Sequence, residues 1–299
     1  MKSLYKIVGI GELLWDMLPG GKQLGGAPGN FTYMASMLGD EGIVASRVGN
    51  DSLGQETLAQ MKSVGLSTEF LQIDSEHPTG IAVVEIDADG QPKFTITPEV
   101  AWDFLGWTPA WHSLAEQADV ICFGTLAQRS AQSRDTIRQF LQRAPVFALR
   151  IFDVNLRQSF FSAELLRDSL RQAQLMKLNH EELPMVTQLL GSSFLNEEQA
   201  ARLLLETFGL KLVCITRGAN GSLLVTPAAS SSHKGFSVKV ADTVGAGDAF
   251  TACLAHHFLR GTDLDRINES ANRFAAWVAG QPGATPLRDE ALIKEVLAA

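Results

Sequence analysis

The sequence predicts an α/β protein in which helices flank a doubly wound, mostly parallel β-sheet. From Asp119 onward, short apolar runs alternate with segments of helical length, as in successive βαβ units. Most of these apolar runs end in polar or glycine-rich clusters, at the sheet edge where such folds bind ligands. Two further strands between Thr79 and Thr97 have few helical neighbours, which predicts a second, smaller β-sheet.

The N-terminal part of the chain predicts two strands and two helices. The strands cover residues 5–9 and 12–19, the first helix covers 31–38, and the second starts at a cap on Asn50 or Asp51 and ends at Gly65. Gly9 and Gly11 open no dinucleotide-binding fingerprint, because Leu14 stands at the third glycine position. This counts against a Rossmann oxidoreductase.

The middle and C-terminal parts supply the small hairpin and the regular alternation. The hairpin strands cover 79–86 and 92–97 and are joined by an Asp/Gly turn over 87–90. The remaining strands are expected at 120–123, 146–152, 175–178 and 212–216, and the helices at 133–142, 163–173, 197–208, 249–259, 263–278 and 287–299. No repeat or linker interrupts the chain, so residues 1–299 are expected to form a single domain.

Composition excludes several classes of function. The chain has 299 residues, of which 45% are hydrophobic, and a net charge of -8 without a basic cluster interleaved with aromatics, so no nucleic-acid partner is expected. Cys122, Cys214 and Cys253 lie in apolar segments and predict buried thiols in a reducing compartment. No signal peptide or membrane-spanning stretch is recognisable, so a cytoplasmic protein without a membrane partner is expected.

The stretch that points most directly to chemistry is 241–250. Gly245, Ala246 and Gly247 precede Asp248, which is expected in the first turn of a helix. Small residues allow a sharp turn whose free N–H groups favour an anion. A carboxylate beside a phosphate is suited to deprotonating a hydroxyl that attacks it, although Asp is also common in the first turn of any helix.

The sequence Asp-Thr-Val-Gly-Ala-Gly-Asp-Ala-Phe over 242–250 resembles the C-terminal signature of the ribokinase-like sugar kinases, also called the phosphofructokinase B family. In that family the last Asp is the catalytic base and the Gly-Ala-Gly amides form the anion hole. The resemblance therefore assigns the base to Asp248 and the anion hole to Gly245, Ala246 and Gly247. It also implies a ribokinase-like fold with a β-sheet lid, here about residues 12–24 and 79–105.

The sugar side carries a second signature of the same family. Gly-Gly-Ala-Pro-Gly-Asn over 25–30, followed by 47–54, resembles the family's N-terminal motif and implies that Gly25, Gly26 and Asn30 hold the sugar. Taken alone, Asn30 is as well explained as a helix N-cap. Asp16 lies between apolar neighbours before a turn and is expected to face a cleft.

The polar clusters after the later strands complete the expected site. Asn155 and Arg157 belong to an Asp-x-Asn-x-Arg motif, which resembles that of fructokinases and ketodeoxygluconate kinases. The resemblance implies that they contact the substrate or its phosphate. The alternative for Arg157 is a structural salt bridge. Asn179 and Glu182 stand three apart, so on one helical turn they would share a face and order Mg²⁺ waters.

The family resemblance extends to the nucleotide. It assigns the nucleotide turn to Thr216, Gly218 and Gly221, the adenine wall to Asn272, Gly283 and Ala284, and a monovalent cation such as K⁺ to the vicinity of Asp242.

The resulting expectation is an ATP- and Mg²⁺-dependent kinase that phosphorylates a primary hydroxyl of a small sugar, with fructose favoured. Ketodeoxygluconate, ribose and nucleosides remain alternative substrates, and a non-catalytic sugar or nucleotide sensor on the same fold is the alternative of another class. Family members often pair through the lid, which implies a homodimer formed at hairpin edges.

Overall fold

The structure is a computed structural model that describes residues 2, 4–18, 20–86, 92–193 and 196–298. The predicted turn at 87–90 lies outside these residues. The strands in chain order are β1 (Lys6–Ile10), β2 (Leu14–Leu18), β3 (Gly21–Gly25), β4 (Glu41–Gly49), β5 (Leu71–Asp74), β6 (Gly80–Ile86), β7 (Pro92–Ile96), β8 (Val120–Phe123), β9 (Leu149–Asp153), β10 (Leu175–Asn179), β11 (Leu212–Thr216), β12 (Ser222–Val225) and β13 (Ser230–His233).

Ten α-helices are found in the described residues, and the parallel strands are linked mainly through them. They are α1 (Ala27–Met37), α2 (Ser52–Ser63), α3 (Pro109–Gln117), α4 (Ala131–Arg143), α5 (Ala163–Gln172), α6 (Glu182–Leu189), α7 (Glu197–Phe208), α8 (Ala246–Leu259), α9 (Leu264–Ala279) and α10 (Glu290–Leu297). Within the described ranges, no helix combines the length and the apolar character needed to cross a bilayer.

The predicted doubly wound sheet is confirmed. Its described strands follow the order β13-β12-β11-β10-β9-β8-β1-β4-β5, and all pairs are parallel except the two that involve β12. The chain runs outward from β1 to β5 on one side and from β8 to β11 on the other. The order therefore reverses between β1 and β8, and ligands bind at such a switch point, beyond the carboxyl ends of the strands.

The central strands are apolar on both faces because helices cover both. On β1, Val8 and Ile10 pack into the hydrophobic core on one face, and Ile7 packs into a second core on the other. Runs without polar alternation are typical of buried parallel strands. Cys122, Cys214 and Cys253 are free and buried, as predicted.

The small sheet is built from both predicted lid segments and follows the order β3-β2-β6-β7. Strands β6 and β7 are antiparallel as predicted, and β2 joins β6 in parallel. The sequence interpretation missed β3, which pairs with β2 through an antiparallel register from Leu14–Gly25 to Leu18–Gly21.

Several predicted boundaries were wrong. Strand β9 begins at Leu149, because the Pro145 carbonyl accepts the Ala148 N–H and turns the chain. The closing helix begins at Glu290, where Asp289 caps it through the N–H groups of Ala291 and Leu292. Trp102, which follows the small sheet in the chain, has no solvent exposure and belongs to the core.

Candidate active site

The N-terminal turn of α8 has the geometry expected of an anion cradle. Gly245 precedes the helix with φ 80°, a left-handed conformation that favours glycine, and a Cβ there would lie 3.0 Å from Ala284. Asp248 follows in the first turn of the helix. The small residues of the motif thus leave the helix N-terminus open, where N–H groups and the macrodipole favour negative charge.

Asp248 is joined to the first signature through Asn30. The Asn30 Nδ2 donates a hydrogen bond of 2.8 Å to Asp248 Oδ2, across 218 residues of chain. Helix α1 already begins at Ala27, so Asn30 lies inside its first turn and is not the N-cap. The N-cap interpretation of Asn30 is wrong, and the two distant motifs meet at one carboxylate.

The surroundings of Asp248 shift its acidity. Burial and then the charge of Asp153 raise the pKa of Asp248 from its usual 3.8 to about 6. Lys177, the Asn30 hydrogen bond and Arg157 act in the opposite direction. A carboxylate with this pKa is still ionised at pH 7 and takes up a proton more readily than an exposed aspartate.

Asp16 and the glycine pair form one wall beside this carboxylate. A Cβ on Gly25 would lie 2.7 Å from Asp16 Oδ2, and a Cβ on Gly26 would lie 2.5 Å from the Glu12 carbonyl oxygen. Close approach of backbone therefore requires glycine at position 26, whereas a side chain at position 25 would displace the Asp16 carboxylate. Burial raises the pKa of Asp16, an effect that Arg157 opposes.

The loop after β9 brings a positive charge to the same wall. Asn155 adopts φ 41°, a left-handed conformation that asparagine tolerates. Arg157 is exposed, and its guanidinium donates to the Leu156 carbonyl at 3.1 Å. Its charge opposes the rise in pKa of both Asp16 and Asp248, so the guanidinium lies within electrostatic range of both carboxyl groups. In the part of the chain that the structure describes, the salt bridge considered as its alternative role is not among its contacts.

Asn179 and Glu182 do not share a helical turn, because Asn179 is the last residue of β10. They satisfy each other's backbone: Asn179 Oδ1 accepts the Glu182 N–H at 2.8 Å, and Glu182 Oε2 accepts the Asn179 N–H at 2.8 Å. Glu182 Oε1 accepts the Leu156 N–H at 2.7 Å, which ties the Arg157 loop to the start of α6. Burial raises the pKa of Glu182. Among the described contacts each Glu182 oxygen accepts one N–H and retains a lone pair for a metal-bound water, whereas Asn179 Oδ1 also accepts the Glu181 N–H at 2.9 Å and has both lone pairs occupied.

The residues predicted for the nucleotide occupy two neighbouring places. Thr216, Gly218 and Gly221 form the turn between β11 and β12, in which a Cβ on Gly221 would lie 2.0 Å from the His233 carbonyl oxygen. Asn272 is buried, and its Nδ2 donates to Ser222 Oγ at 2.7 Å, next to this turn.

The 283–284 loop is joined to the signature by Asp242. Its Oδ2 accepts the Gly283 N–H at 3.3 Å and its Oδ1 accepts the Val244 N–H at 3.0 Å. Ala284 is consequently packed against Gly245, so the predicted adenine wall and the anion cradle are one connected structure.

Three charged residues near Asp248 were not assigned a role from the sequence. Glu12 follows β1 and is 3% exposed, and burial raises its pKa from 4.5 to about 7. Asp153 and Lys177 form a buried ion pair. The signal was present for Lys177, because a lysine inside an apolar strand needs a charged partner when it is buried.

Comparison with known proteins assigns the chain to a family. Residues 19–291 match the model of the pfkB family carbohydrate kinases. The chain belongs to this family of carbohydrate kinases. An uncharacterized sugar kinase of Pyrococcus horikoshii is 29% identical over 98% of the chain and 97% of its own length, and fructokinase-2 of Solanum lycopersicum is 29% identical over 97% and 86%.

Solved structures of pfkB-type kinases resemble the whole chain. A fructokinase of Vibrio cholerae in fructose-, ADP- and calcium-bound form superposes with a TM-score of 0.81 at 25% identity, covering 99% of this chain and all of that one. The P. horikoshii kinase in complex with ATP gives a TM-score of 0.78 at 27% identity, covering 97% and 99%. Among the family relatives, an aminoimidazole riboside kinase of Salmonella typhimurium is 28% identical over 89% of the chain and 84% of its own length.

Proposed function

We propose that this protein transfers the γ-phosphoryl group of ATP to a primary hydroxyl of a small sugar, with fructose as substrate and fructose 6-phosphate as product. The observation that carries the proposal is the Asn30–Asp248 hydrogen bond at the N-terminus of α8. This hydrogen bond brings the Asp248 carboxylate and the N-terminus of α8 next to the segment that contains Gly25 and Gly26. A base, an anion cradle and a hydroxyl-binding wall are the parts that direct in-line transfer requires.

In this mechanism Asp248 accepts the proton of the attacking hydroxyl. Its pKa of about 6 leaves it ionised at pH 7. The N–H groups at Gly245, Ala246 and Gly247 stabilise the negative charge that spreads over the transferred group, because donors fixed in a water-poor site need no reorganisation. Asp16 and Asn30 hold sugar hydroxyls, and Arg157 contacts the substrate or its phosphate.

Residues suited to binding ATP and Mg²⁺ lie at the carboxyl edge of the large sheet. Thr216, Gly218 and Gly221 would contact the nucleotide phosphates, and Asn272, Gly283 and Ala284 would wall the adenine. Glu182, positioned by Asn179, would hold Mg²⁺ through water, since Glu182 keeps lone pairs free beside its two backbone bonds. Mg²⁺ neutralises phosphate charge when bound. Asp242 would serve a monovalent cation, K⁺, together with neighbouring carbonyl groups.

Fructose is favoured over other acceptors by the relatives named fructokinase. The riboside kinase among the relatives keeps nucleosides as the second candidate class. A sensor without catalysis is disfavoured because it needs no carboxylate of raised pKa in the cradle. We further propose that the protein works in the cytoplasm, where buried thiols stay reduced, and pairs as a homodimer through the edge of its small sheet.

Coupled ADP release tests the proposal. Purified protein is assayed with ATP and Mg²⁺ against fructose, ribose, glucose, mannose, ketodeoxygluconate and adenosine. Fructose is expected to give the highest kcat/KM, and Asp248→Asn is expected to lower its kcat by about 10²- to 10⁴-fold. Asp263→Asn is the matched control, because Asp263 is an exposed N-cap of α9 and asparagine caps equally well.

Each outcome of this assay discriminates between the candidates. Preference for adenosine would replace the sugar by a nucleoside, and ATP binding without turnover on any acceptor would favour the sensor. Full turnover in Asp248→Asn would contradict the assignment of the base.

A further inference from the structure

A buried ion pair between Lys177 and Asp153, the first residue of the Asp-x-Asn-x-Arg motif, lies beneath the N-terminal turn of α8. The parallel register of β9 and β10 sets Asp153 opposite Lys177. Lys177 Nζ lies 3.1 and 3.2 Å from the two oxygens of Asp153, and the side chains are 12% and 7% exposed. Burying both charges is costly, so a pair in this position is expected to have a role besides stability.

Both members of the pair contact the turn that carries Asp248. A Cβ on Gly247 would lie 3.0 Å from Lys177 Nζ, so the ammonium group lies directly against this glycine. Thr251 Oγ1, one turn further along α8, lies 3.1 Å from Asp153 Oδ2 as donor and 3.0 Å from the Gly247 carbonyl oxygen. Lys177 thus packs against Gly247, and Asp153 holds α8 one turn further on through the Thr251 hydroxyl.

We propose that the Lys177–Asp153 pair is a positioning element for phosphoryl transfer, in which Lys177 holds Gly247, Asp153 holds Thr251, and the two opposite charges lie beneath the turn that carries Asp248. This inference rests on the proposed function, because it assumes that Asp248 is the base. Lys177 and Asp153 act through Gly247 and Asp248 and are positioning residues in this account.

The charges around Asp248 give the two members opposite effects. Asp153 raises the pKa of Asp248, second only to burial, and Lys177 lowers it. Lys177 remains charged, because neighbouring carboxylates outweigh the effect of burial and raise its own pKa. Among the described residues, the titratable and polar groups that act on Asp248 are Asn30 of α1, Glu12 after β1, Cys122 of β8, Asp153 of β9, Arg157 of the following loop and Lys177 of β10.

The test is the pH profile of kcat/KM for the best acceptor in two variants. The acidic limb is the part of this profile in which kcat/KM falls as the pH decreases. Asp153→Asn removes a negative charge and is expected to shift this limb to lower pH by about one unit. Lys177→Met removes the positive charge at similar length and is expected to move the limb up by about one unit. If the pair had only a structural role, the acidic limb would shift in the same direction in both variants, because either change breaks the same contact.

Three further variants separate charge from packing. Lys177→Arg keeps the charge and is expected to restore the wild-type limb. Thr251→Val removes the hydroxyl without changing any charge, so the limb is expected to stay in place. The double variant Lys177→Met with Asp153→Asn removes both charges and is expected to return close to the wild-type profile. If Asp153→Asn does not fold, the contrast between Lys177→Met and Lys177→Arg carries the same test.

The inference would be overturned if the acidic limbs of Asp153→Asn and Lys177→Met shifted in the same direction, or if neither limb shifted. That result differs from a failure of the proposed function, in which the wild type has no acceptor-dependent turnover or Asp248→Asn remains active.

Discussion

Asp248 is the residue whose ionisation is expected to limit activity in acid. Its pKa of about 6 belongs to the free protein, so kcat/KM should fall tenfold per pH unit below about pH 6. The measurement is kcat/KM from pH 4.5 to 8 at saturating Mg²⁺, with the stability of the protein checked over the same range. An acidic limb near pH 4, the value for an exposed aspartate, would contradict the burial of this carboxylate.

Glu12 makes a separate prediction about stability. Its pKa rises from 4.5 to about 7 mainly through burial, so the folded state is favoured by its protonation and loses that stabilisation as pH rises through about 7. Glu12→Gln is neutral at every pH. At pH 8 the variant should exceed the wild type in free energy of unfolding by about 3 kcal/mol, and at pH 4 by almost nothing.

Chemical denaturation at pH 4 and pH 8 measures this difference. The same effect at both pH values would show that packing, and not the charge of Glu12, causes it.

At the level of secondary-structure elements, the segment after β4 links α2 to the start of β6. Asp51 accepts the Gly54 N–H at 2.8 Å as the N-cap of α2, and it also accepts the N–H and the hydroxyl of Thr79, each at 2.7 Å, just before β6. Asp51→Ala should lower the free energy of unfolding by about 2–4 kcal/mol. Because Thr79 leads into the small sheet, the KM for the sugar should rise as well.

Asp51→Ser separates the two roles. Serine retains the cap but is too short to reach Thr79, so the variant should recover most of the stability and keep the raised KM. Denaturant titration and initial-rate kinetics on both variants measure these effects; a serine variant with wild-type KM would contradict the role of Asp51 in this link.

A second link connects β7 to the elements after β8. Arg129 pairs with both oxygens of Asp103 at 2.7 Å and donates to the Thr97 carbonyl at 2.6 Å, between the rings of Trp102 and Phe160. Asp103→Asn should cost about 3–5 kcal/mol by leaving a buried guanidinium without its counter-charge. In a double-mutant cycle, adding Arg129→Met to Asp103→Asn should restore part of the lost free energy of unfolding. Losses that simply add would contradict the coupling of the two residues.

At the scale of the whole molecule, the sequence predicted the elements that have a strong local pattern. Strand β8, helix α7 and strand β11 were predicted with their observed bounds, because an apolar run or a capped amphipathic segment defines each of them locally. Strands β12 and β13 were missed. They are short, and their antiparallel pairing at the edge of the sheet has no periodic signal in the chain.

The site was predictable where a motif is contiguous and not where the fold assembles it. The small residues before Asp248 predict the helix N-terminus from local sequence. The hydrogen bond from Asn30 to Asp248 joins residues 218 positions apart and has no local pattern. Lys177 and Asp153 meet only through the register of neighbouring strands. The first contact depends on the packing of α1 against α8, and the second on the pairing of β9 with β10.

A ³¹P NMR time course of ATP, Mg²⁺ and fructose, with the wild type and with Asp248→Asn, tests the proposed phosphorylation of a sugar with Asp248 as base. We expect a sugar phosphomonoester signal and ADP to appear together in the wild type, and both to form at least about 10²-fold more slowly in the variant. ADP with inorganic phosphate in place of the sugar ester, or equal rates in the two proteins, would contradict this proposal.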